Sequence, residues 1–103
     1  MIIFKNRRRT NITKNSKEIL AINLKFYRFE LNLTQEQFAE KMDISLTYER
    51  ELEQFRRNVS IDMLDKLALK LSLQLKYTIK SADLLTYDEN KIINSLRVDR
   101  RSN

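Results

Sequence analysis

Three hydroxyl residues in the middle of the chain mark the starts of short helices. Thr34, Ser45 and Ser60 each precede a segment whose apolar residues recur at helical spacing. A Ser or Thr hydroxyl in this position accepts a hydrogen bond from a free amide of the first turn. Gln37 follows Thr34 at the spacing of a capping box, in which the two residues satisfy each other's amides. The sequence therefore predicts a mainly α fold built from short helices.

The apolar periodicity predicts four helices before residue 72. They cover residues 17–31, 35–42, about 46–54, and a fourth segment that begins after Ser60. The first helix carries two apolar stripes, one formed by Leu20, Leu24, Tyr27 and Leu31 and the other by Ile19, Ile22, Phe26 and Phe29. A helix with two apolar sides needs two partners. We expect the core to cover one stripe, and C-terminal strands or a second subunit to cover the other.

The pattern changes after the fourth helix. Apolar and polar residues alternate over 73–79, which predicts a strand. Residues 84–98 are compatible with a hairpin, and a helix over about 88–97 is the competing interpretation. We therefore predict an arm (1–17), a helical domain (18–72), and a small β extension (73–103) that contributes to dimerisation.

The net charge of +6 comes entirely from the arm. Residues 1–17 contain no acid and six basic residues, which are Lys5, Arg7, Arg8, Arg9, Lys14 and Lys17. A solubilising tail is one interpretation of this segment. An electrostatic tether to nucleic-acid phosphates, through Arg7, Arg8 and Arg9, is the second. A membrane-surface arm is favoured less, because the segment has no sustained amphipathic helix.

Composition argues against an enzyme. The chain has no histidine and no cysteine, so the commonest general base, the commonest metal ligand and the thiol nucleophile are all missing. No glycine-rich phosphate loop is possible, since the chain has no glycine. We expect no catalytic residues, no metal and no cofactor. No apolar run is long enough for a membrane span, and a cytoplasmic location is expected.

Two stretches resemble a known family. They are LKFYRFELNLTQEQFAEKMDIS and LEQFRRNVSIDMLDKLALKL, and together they span about residues 20–72. Both are similar to the Cro/repressor-type (XRE-like) helix-turn-helix family. The resemblance implies a repressor-like bundle of four to five helices that binds double-stranded DNA.

The resemblance also implies individual roles. Residues at positions that face base edges are Ser45, Leu46, Thr47 and Glu51. Residues at positions that contact the DNA backbone are Gln35, Arg50, Gln54, Arg56 and Arg57. Arg28 and Glu53 match a partly buried ion pair between the first and third helices. Removing Glu53 alone would strand a buried charge, at a cost of about 3 kcal/mol.

Four positions depart from the family pattern. Glu49 stands where an apolar core residue is usual, and Tyr48 is an alternative residue to fill that place. Asp43 and Phe55 stand where glycine is common, and Val59 where proline is common.

The leading functional interpretation is a sequence-specific transcriptional regulator. We expect a homodimer that inserts helix 46–54 in the major groove, as a repressor, a controller or an antitoxin-like regulator with a toxin or other protein partner. The alternative is a protein-interaction module that kept the fold without specific DNA recognition, since the third helix is rich in acids.

Overall fold

The computed structural model describes residues 15–90, which form four α-helices and one 3-10 helix. These elements are α1 (Ser16–Glu30), α2 (Gln35–Met42), α3 (Leu46–Glu53), α4 (Ile61–Leu75) and the 3-10 helix Ser81–Leu85. The mainly α, helix-turn-helix bundle is confirmed, and no strand occurs within residues 15–90. In the same part of the chain, no helix is both long enough and apolar enough to traverse a lipid bilayer.

The predicted caps are confirmed. The Thr34 hydroxyl accepts from the Gln37 amide at 3.1 Å, and the Gln37 side chain accepts from the Thr34 amide at 3.0 Å. The hydroxyls of Ser45 and Ser60 each accept from the amide three residues later in the chain, both at 3.0 Å. These bonds satisfy amides that have no partner inside their helices. The caps thus fix where α2, α3 and α4 begin.

Helix ends in this chain use left-handed residues other than glycine. The residues with positive φ are Asn32 (59°), Asp43 (60°), Phe55 (66°) and Lys76 (70°). Asn32 and Asp43 adopt the left-handed conformation at little cost, because Asn and Asp tolerate it better than most residues other than glycine. Phe55 is different, because a bulky side chain is strained there. The Arg56 amide bonds to the Glu51 carbonyl at 2.9 Å and closes the turn after α3.

One core joins all five elements. Its buried residues are Leu20, Leu24, Tyr27, Phe38, Met42, Leu52, Leu64, Leu67, Ala68, Leu71, Ile79 and Leu84. Burial of these side chains is the main favourable contribution to folding. The core places α3 between solvent on one side and α1 and α2 on the other.

The strand predicted over residues 73–79 is wrong. Helix α4 continues to Leu75 and ends at Lys76, whose amide bonds to the Ser72 carbonyl at 2.9 Å. The Ser72 hydroxyl then accepts from the Ile79 amide at 2.8 Å and holds the following segment against the helix. Leucine, glutamine and lysine favour helix, and an alternating pattern this short does not distinguish a strand from a helix end.

The predicted hairpin over 84–98 also fails in its described part. Leu84 and Leu85 finish the 3-10 helix, and residues 86–88 are irregular. Glu89 and Asn90 have helical backbone, and the remainder of both the hairpin and the competing helix lies outside the described residues.

Asn23 fastens the C-terminal segment to α1. This side chain is 1% exposed, and its Nδ2 donates to the carbonyls of Leu84 at 2.8 Å, Thr86 at 3.1 Å and Asp83 at 3.3 Å. The Asp83 carbonyl also accepts from the Thr86 amide at 3.4 Å, whereas the Leu84 and Thr86 carbonyls lie where the 3-10 helix has no further turn to supply a donor. One buried amide therefore satisfies the end of the 3-10 helix and attaches it to α1.

The second stripe of α1 is covered in part by this 3-10 helix. Asn23 lies on the same side of α1 as Ile19 and Phe26, and the 3-10 helix packs on α1 there. Phe29 is 6% exposed, with the Arg28 guanidinium 4.6 Å from its ring centroid. The appended segment expected to cover the stripe is therefore present as a 3-10 helix and not as strands.

Replacement of Asn23 tests this attachment. We expect Asn23→Ala to lower the free energy of unfolding by about 2–3 kcal/mol, because buried carbonyls lose their donor. Urea unfolding measures this loss, and hydrogen exchange should show faster exchange in residues 81–86. Asn58→Ala changes an exposed asparagine and should leave both measurements unaltered. Equal stabilities of the two variants would contradict the attachment.

Candidate functional site

The turn between α2 and α3 is held from two sides. The Ile44 amide donates to the Ala39 carbonyl at 2.9 Å, which continues the hydrogen bonding of α2. From α4, the Lys66 ammonium donates to the Asp43 carbonyl at 2.7 Å and lies 3.6 Å from the Asp43 carboxylate. A cation at the end of α2 also complements the helix dipole. The direction in which α3 leaves the turn is therefore fixed by both neighbouring helices.

The outward side of α3 carries the residues expected to contact DNA. Leu46, Thr47, Arg50, Glu51 and Gln54 lie within one side of the helix by its 3.6-residue period. We call this set, together with Ser45 at its start and Arg56 and Arg57 after its end, the α3 face. Its exposed members are Ser45, Thr47, Arg50, Gln54, Arg56 and Arg57, and its half-buried members are Leu46 and Glu51. All eight are thus accessible from one side of the protein.

Two members of the α3 face bind each other. The Arg57 Nε lies 2.8 Å from the Glu51 Oε1, and the side chains are 45% and 32% exposed. The Arg57 guanidinium also lies 4.6 Å from the centroid of the Tyr48 ring. An exposed ion pair of this kind contributes about 0–1 kcal/mol, so a stronger ligand for either group can separate it. The sequence did not predict this pairing of Glu51, an acid expected to face the bases, with Arg57, an arginine expected to contact the DNA backbone.

Gln35 sits at the start of α2, where the resemblance implies a contact with the DNA backbone. Its side chain is half-buried, and its Nε2 donates to the Glu53 Oε1 at 3.2 Å. The second amide hydrogen of Gln35 is still available as a donor. The structure thus brings this glutamine to the end of α3 rather than leaving it isolated on α2.

The Arg28–Glu53 ion pair is present with two-point geometry. The Arg28 Nε and Nη2 donate to the two Glu53 carboxylate oxygens at 2.7 Å and 3.0 Å, and Nη1 donates to the Leu33 carbonyl at 3.0 Å. The side chains of Arg28 and Glu53 are 3% and 5% exposed. Burial opposes ionisation of Glu53, but the neighbouring Glu49 and the hydrogen bonds from Arg28 outweigh it and lower the pKa of Glu53. Glu53 is therefore an ionised structural residue, as the resemblance implied.

Glu49 is the unexpected member of this cluster. Its side chain is 0% exposed, and the Arg28 Nε lies 3.9 Å from its Oε2. Burial and the neighbouring Glu53 together raise the pKa of Glu49 from 4.5 to about 10, against the opposing effect of Arg28. Tyr48, the alternative candidate for this core position, is half-buried and packs against the core as well. Both side chains thus turn inward. The burial of Glu49 was indicated in the sequence by an acid at a helical position that faces the core.

The acids of α3 consequently leave little negative charge on the α3 face. Glu49 and Glu53 point into the protein, and Glu51 is paired with Arg57. Arg50 and Arg56 remain on the outward side as exposed cations. The arm residues Arg7, Arg8 and Arg9 lie outside the described residues.

Comparison of the chain with models of known protein families finds a match. A family model described as helix-turn-helix matches residues 24–77, which include the turn and the whole of α3. No curated protein and no solved structure matches the chain.

Variants of the buried Arg28–Glu53 ion pair should differ in stability in a definite order. We expect Arg28→Met to lower the free energy of unfolding by about 3–5 kcal/mol, because Glu53 loses its cation. Glu53→Leu should cost less, since Glu49 is close enough to take over as the partner of Arg28. Urea unfolding of the two variants and of the double variant measures this order.

The double variant is the control for volume and packing. A buried pair replaced by apolar residues is often neutral in stability, so the double variant should recover much of the loss of Arg28→Met. A double variant less stable than Arg28→Met would show that the pair does not act as a unit.

Proposed function

Because the chain belongs to the Cro/C1-type (XRE-like) helix-turn-helix family of DNA-binding transcription regulators, we propose that it recognises a specific DNA sequence. In this proposal, α3 enters the major groove and its outward residues face the bases. The protein acts as a repressor, controller or antitoxin-like regulator in the cytoplasm, without catalytic activity.

The distribution of charge around α3 is the observation that carries this proposal. A helix with three exposed acids would be repelled by DNA phosphates. Here Glu49 and Glu53 are buried, and the third acid, Glu51, is neutralised by Arg57. Arg50 and Arg56 then dominate the outward side of the helix and the turn that follows it.

The proposed base-reading residues have matching chemistry. Ser45 and Thr47 are short and exposed, so the start of α3 can approach the groove closely. Thr47 can donate, accept or contact a thymine methyl group, and Leu46 adds an apolar contact. Glu51 can accept from a cytosine amine once Arg57 leaves it.

The proposed backbone contacts flank these readers. Gln35 precedes the turn, while Arg50, Gln54, Arg56 and Arg57 lie on and after α3. Phosphates compete with Glu51 for the Arg57 guanidinium, because the Glu51–Arg57 pair is exposed and weak. Moving Arg57 to a phosphate frees Glu51, so the two contacts form together.

A homodimer and a protein partner are further parts of the proposal. Helix-turn-helix proteins of this type commonly bind two half-sites as a dimer. Leu69 and Leu73 on α4 are 60% and 58% exposed, and they supply an apolar surface for a second subunit or for a toxin or other partner. A protein-interaction module without DNA recognition remains the competing function. Selection of bound sequences from random DNA separates the two functions.

Selection of bound sequences from a random duplex DNA library tests the proposal. We expect enrichment of an inverted repeat with half-sites about 10 bp apart, because a two-fold dimer places its two α3 helices one helical turn apart. Thr47→Val removes the hydroxyl and should change the preferred bases, whereas Glu40→Gln on the exposed side of α2 should not. No enrichment and no binding even at low salt would favour the protein-interaction module.

The salt dependence of binding tests the arm as a tether. If Arg7, Arg8 and Arg9 contact phosphates, their replacement by glutamine should reduce the slope of log K against log salt by about 2.7. The matched control replaces Lys70, Lys76 and Lys80 by glutamine. These three lysines lie outside the proposed DNA interface, and their replacement removes the same charge. Equal slopes for the two triple variants would leave the arm as a solubilising tail.

A further inference from the structure

Glu49 lies in a buried site that already has its ion pair. Its side chain is fully buried, and neither carboxylate oxygen has a hydrogen-bond partner among the described residues. Arg28 is the cation that approaches it, with Nε at 3.9 Å from Oε2. That distance is too long for a hydrogen bond.

The donors of Arg28 are committed elsewhere. Its Nε and Nη2 bind the two Glu53 oxygens, and its Nη1 binds the Leu33 carbonyl. The site thus contains two carboxyl groups and one guanidinium. If both acids were ionised, one buried negative charge would have no counterpart, which is strongly unfavourable. One proton on Glu49 or Glu53 removes that charge.

Glu49 is the better place for this proton. Glu53 has three donors to its carboxylate, two from Arg28 and one from Gln35, so its ionised form is well solvated by the protein. Glu49 has none among the described residues. A protonated Glu49 becomes a donor, and Glu53 lies one helical turn away on the same side of α3.

We propose that Glu49 is a neutral carboxylic acid that donates a hydrogen bond to Glu53, and that this bond positions α3 on α1 and α2. Glu49 is thus a positioning residue that acts through Glu53. The protonation is independent of DNA, whereas the effect on the α3 face rests on the proposed function. Glu49 stands at a position that is usually apolar in the family, and in its protonated form it places no charge there.

The neighbouring groups agree with this assignment. The helices packed on α3 are α1 and α2. The charged group of α1 at this site is Arg28, that of α3 is Glu53, and α2 contributes the uncharged amide of Gln35. The elevated pKa of Glu49, about 10 against 4.5 for an ordinary glutamate, has burial as its largest cause.

A neutral, buried Glu49 makes the stability of the fold depend on pH in one direction. Between about pH 4.5 and 10, the folded chain holds one proton on Glu49 that the unfolded chain has released. Stability therefore falls as the pH rises through this range. Glu53, whose pKa is lowered, contributes in the opposite direction and only in more acidic solution.

The composition of the chain makes this effect separable from others. The sequence has no histidine and no cysteine. Ordinary Asp and Glu titrate near pH 4, and Tyr and Lys above pH 9, so no unperturbed side chain titrates between about pH 5.5 and 8. A slope in that window belongs to a perturbed group, or to the α-amino group at its upper end.

Urea unfolding of the full chain between pH 5.5 and 8 tests the protonation. The folding equilibrium constant of the wild type should fall about tenfold per pH unit, which is one proton. Glu49→Gln keeps the shape and a donor without titrating, so its stability should be flat. Glu40→Gln, an exposed control on α2, should retain the wild-type slope. A flat wild-type profile would overturn the proposal.

Infrared spectroscopy gives a second, direct readout. At neutral pH, the wild type should show the carbonyl stretch of a protonated carboxylic acid, and Glu49→Gln should lack it. This band does not depend on unfolding. A wild-type spectrum with ionised carboxylates alone at neutral pH would contradict the neutral acid.

DNA affinity of the folded variants tests the positioning. Glu49→Gln retains a donor for Glu53 and should bind as tightly as the wild type at pH 6. Glu49→Leu fills the site without a donor, and we expect about tenfold weaker binding. Equal affinities of the two variants would reject a positioning role. Absence of DNA binding by all proteins, with the pH slope and the infrared band present, would instead reject the proposed function alone.

Discussion

The Arg28–Glu53 ion pair is the contact on which the arrangement of α1, α2 and α3 depends. A single guanidinium binds both oxygens of a carboxylate on α3 and the Leu33 carbonyl in the connection between α1 and α2. Gln35, at the start of α2, binds the same carboxylate. All three helices therefore meet at one buried charge pair, whose geometry is fixed by the planar guanidinium. The outward side of α3 is free to differ without loss of this support.

The three acids of α3 are spaced alike in the sequence but occupy three different environments. Glu53 is ionised and paired in the interior, Glu49 is buried beside it, and Glu51 is half-buried in an exposed pair with Arg57. A charge count along the helix thus overstates its acidity toward solvent. This difference explains how a helix with three acids presents little unpaired negative charge on its outward side.

The features that the sequence predicted correctly depend on local chemistry or on the family resemblance. Thr34, Ser45 and Ser60 cap helices because a hydroxyl and a nearby amide interact within one turn. The Arg28–Glu53 pair followed from the resemblance alone. The strand over 73–79 was wrong because alternation over a few residues fits the end of a leucine-rich helix equally well. The environment of Glu49 depends on side chains from two helices, and spacing in the sequence does not reveal how a buried acid is compensated.

The attachment of the 3-10 helix through Asn23 has a consequence for the order of events during translation. The acceptors of this amide lie 60 to 63 positions further along the chain. At about 5–20 residues per second, the ribosome makes them several seconds after Asn23. During that interval α2 and α3 are already synthesised, while this side of α1 still faces water. The contact that closes this side of α1 therefore cannot form until the whole sequence of the helix-turn-helix has been synthesised.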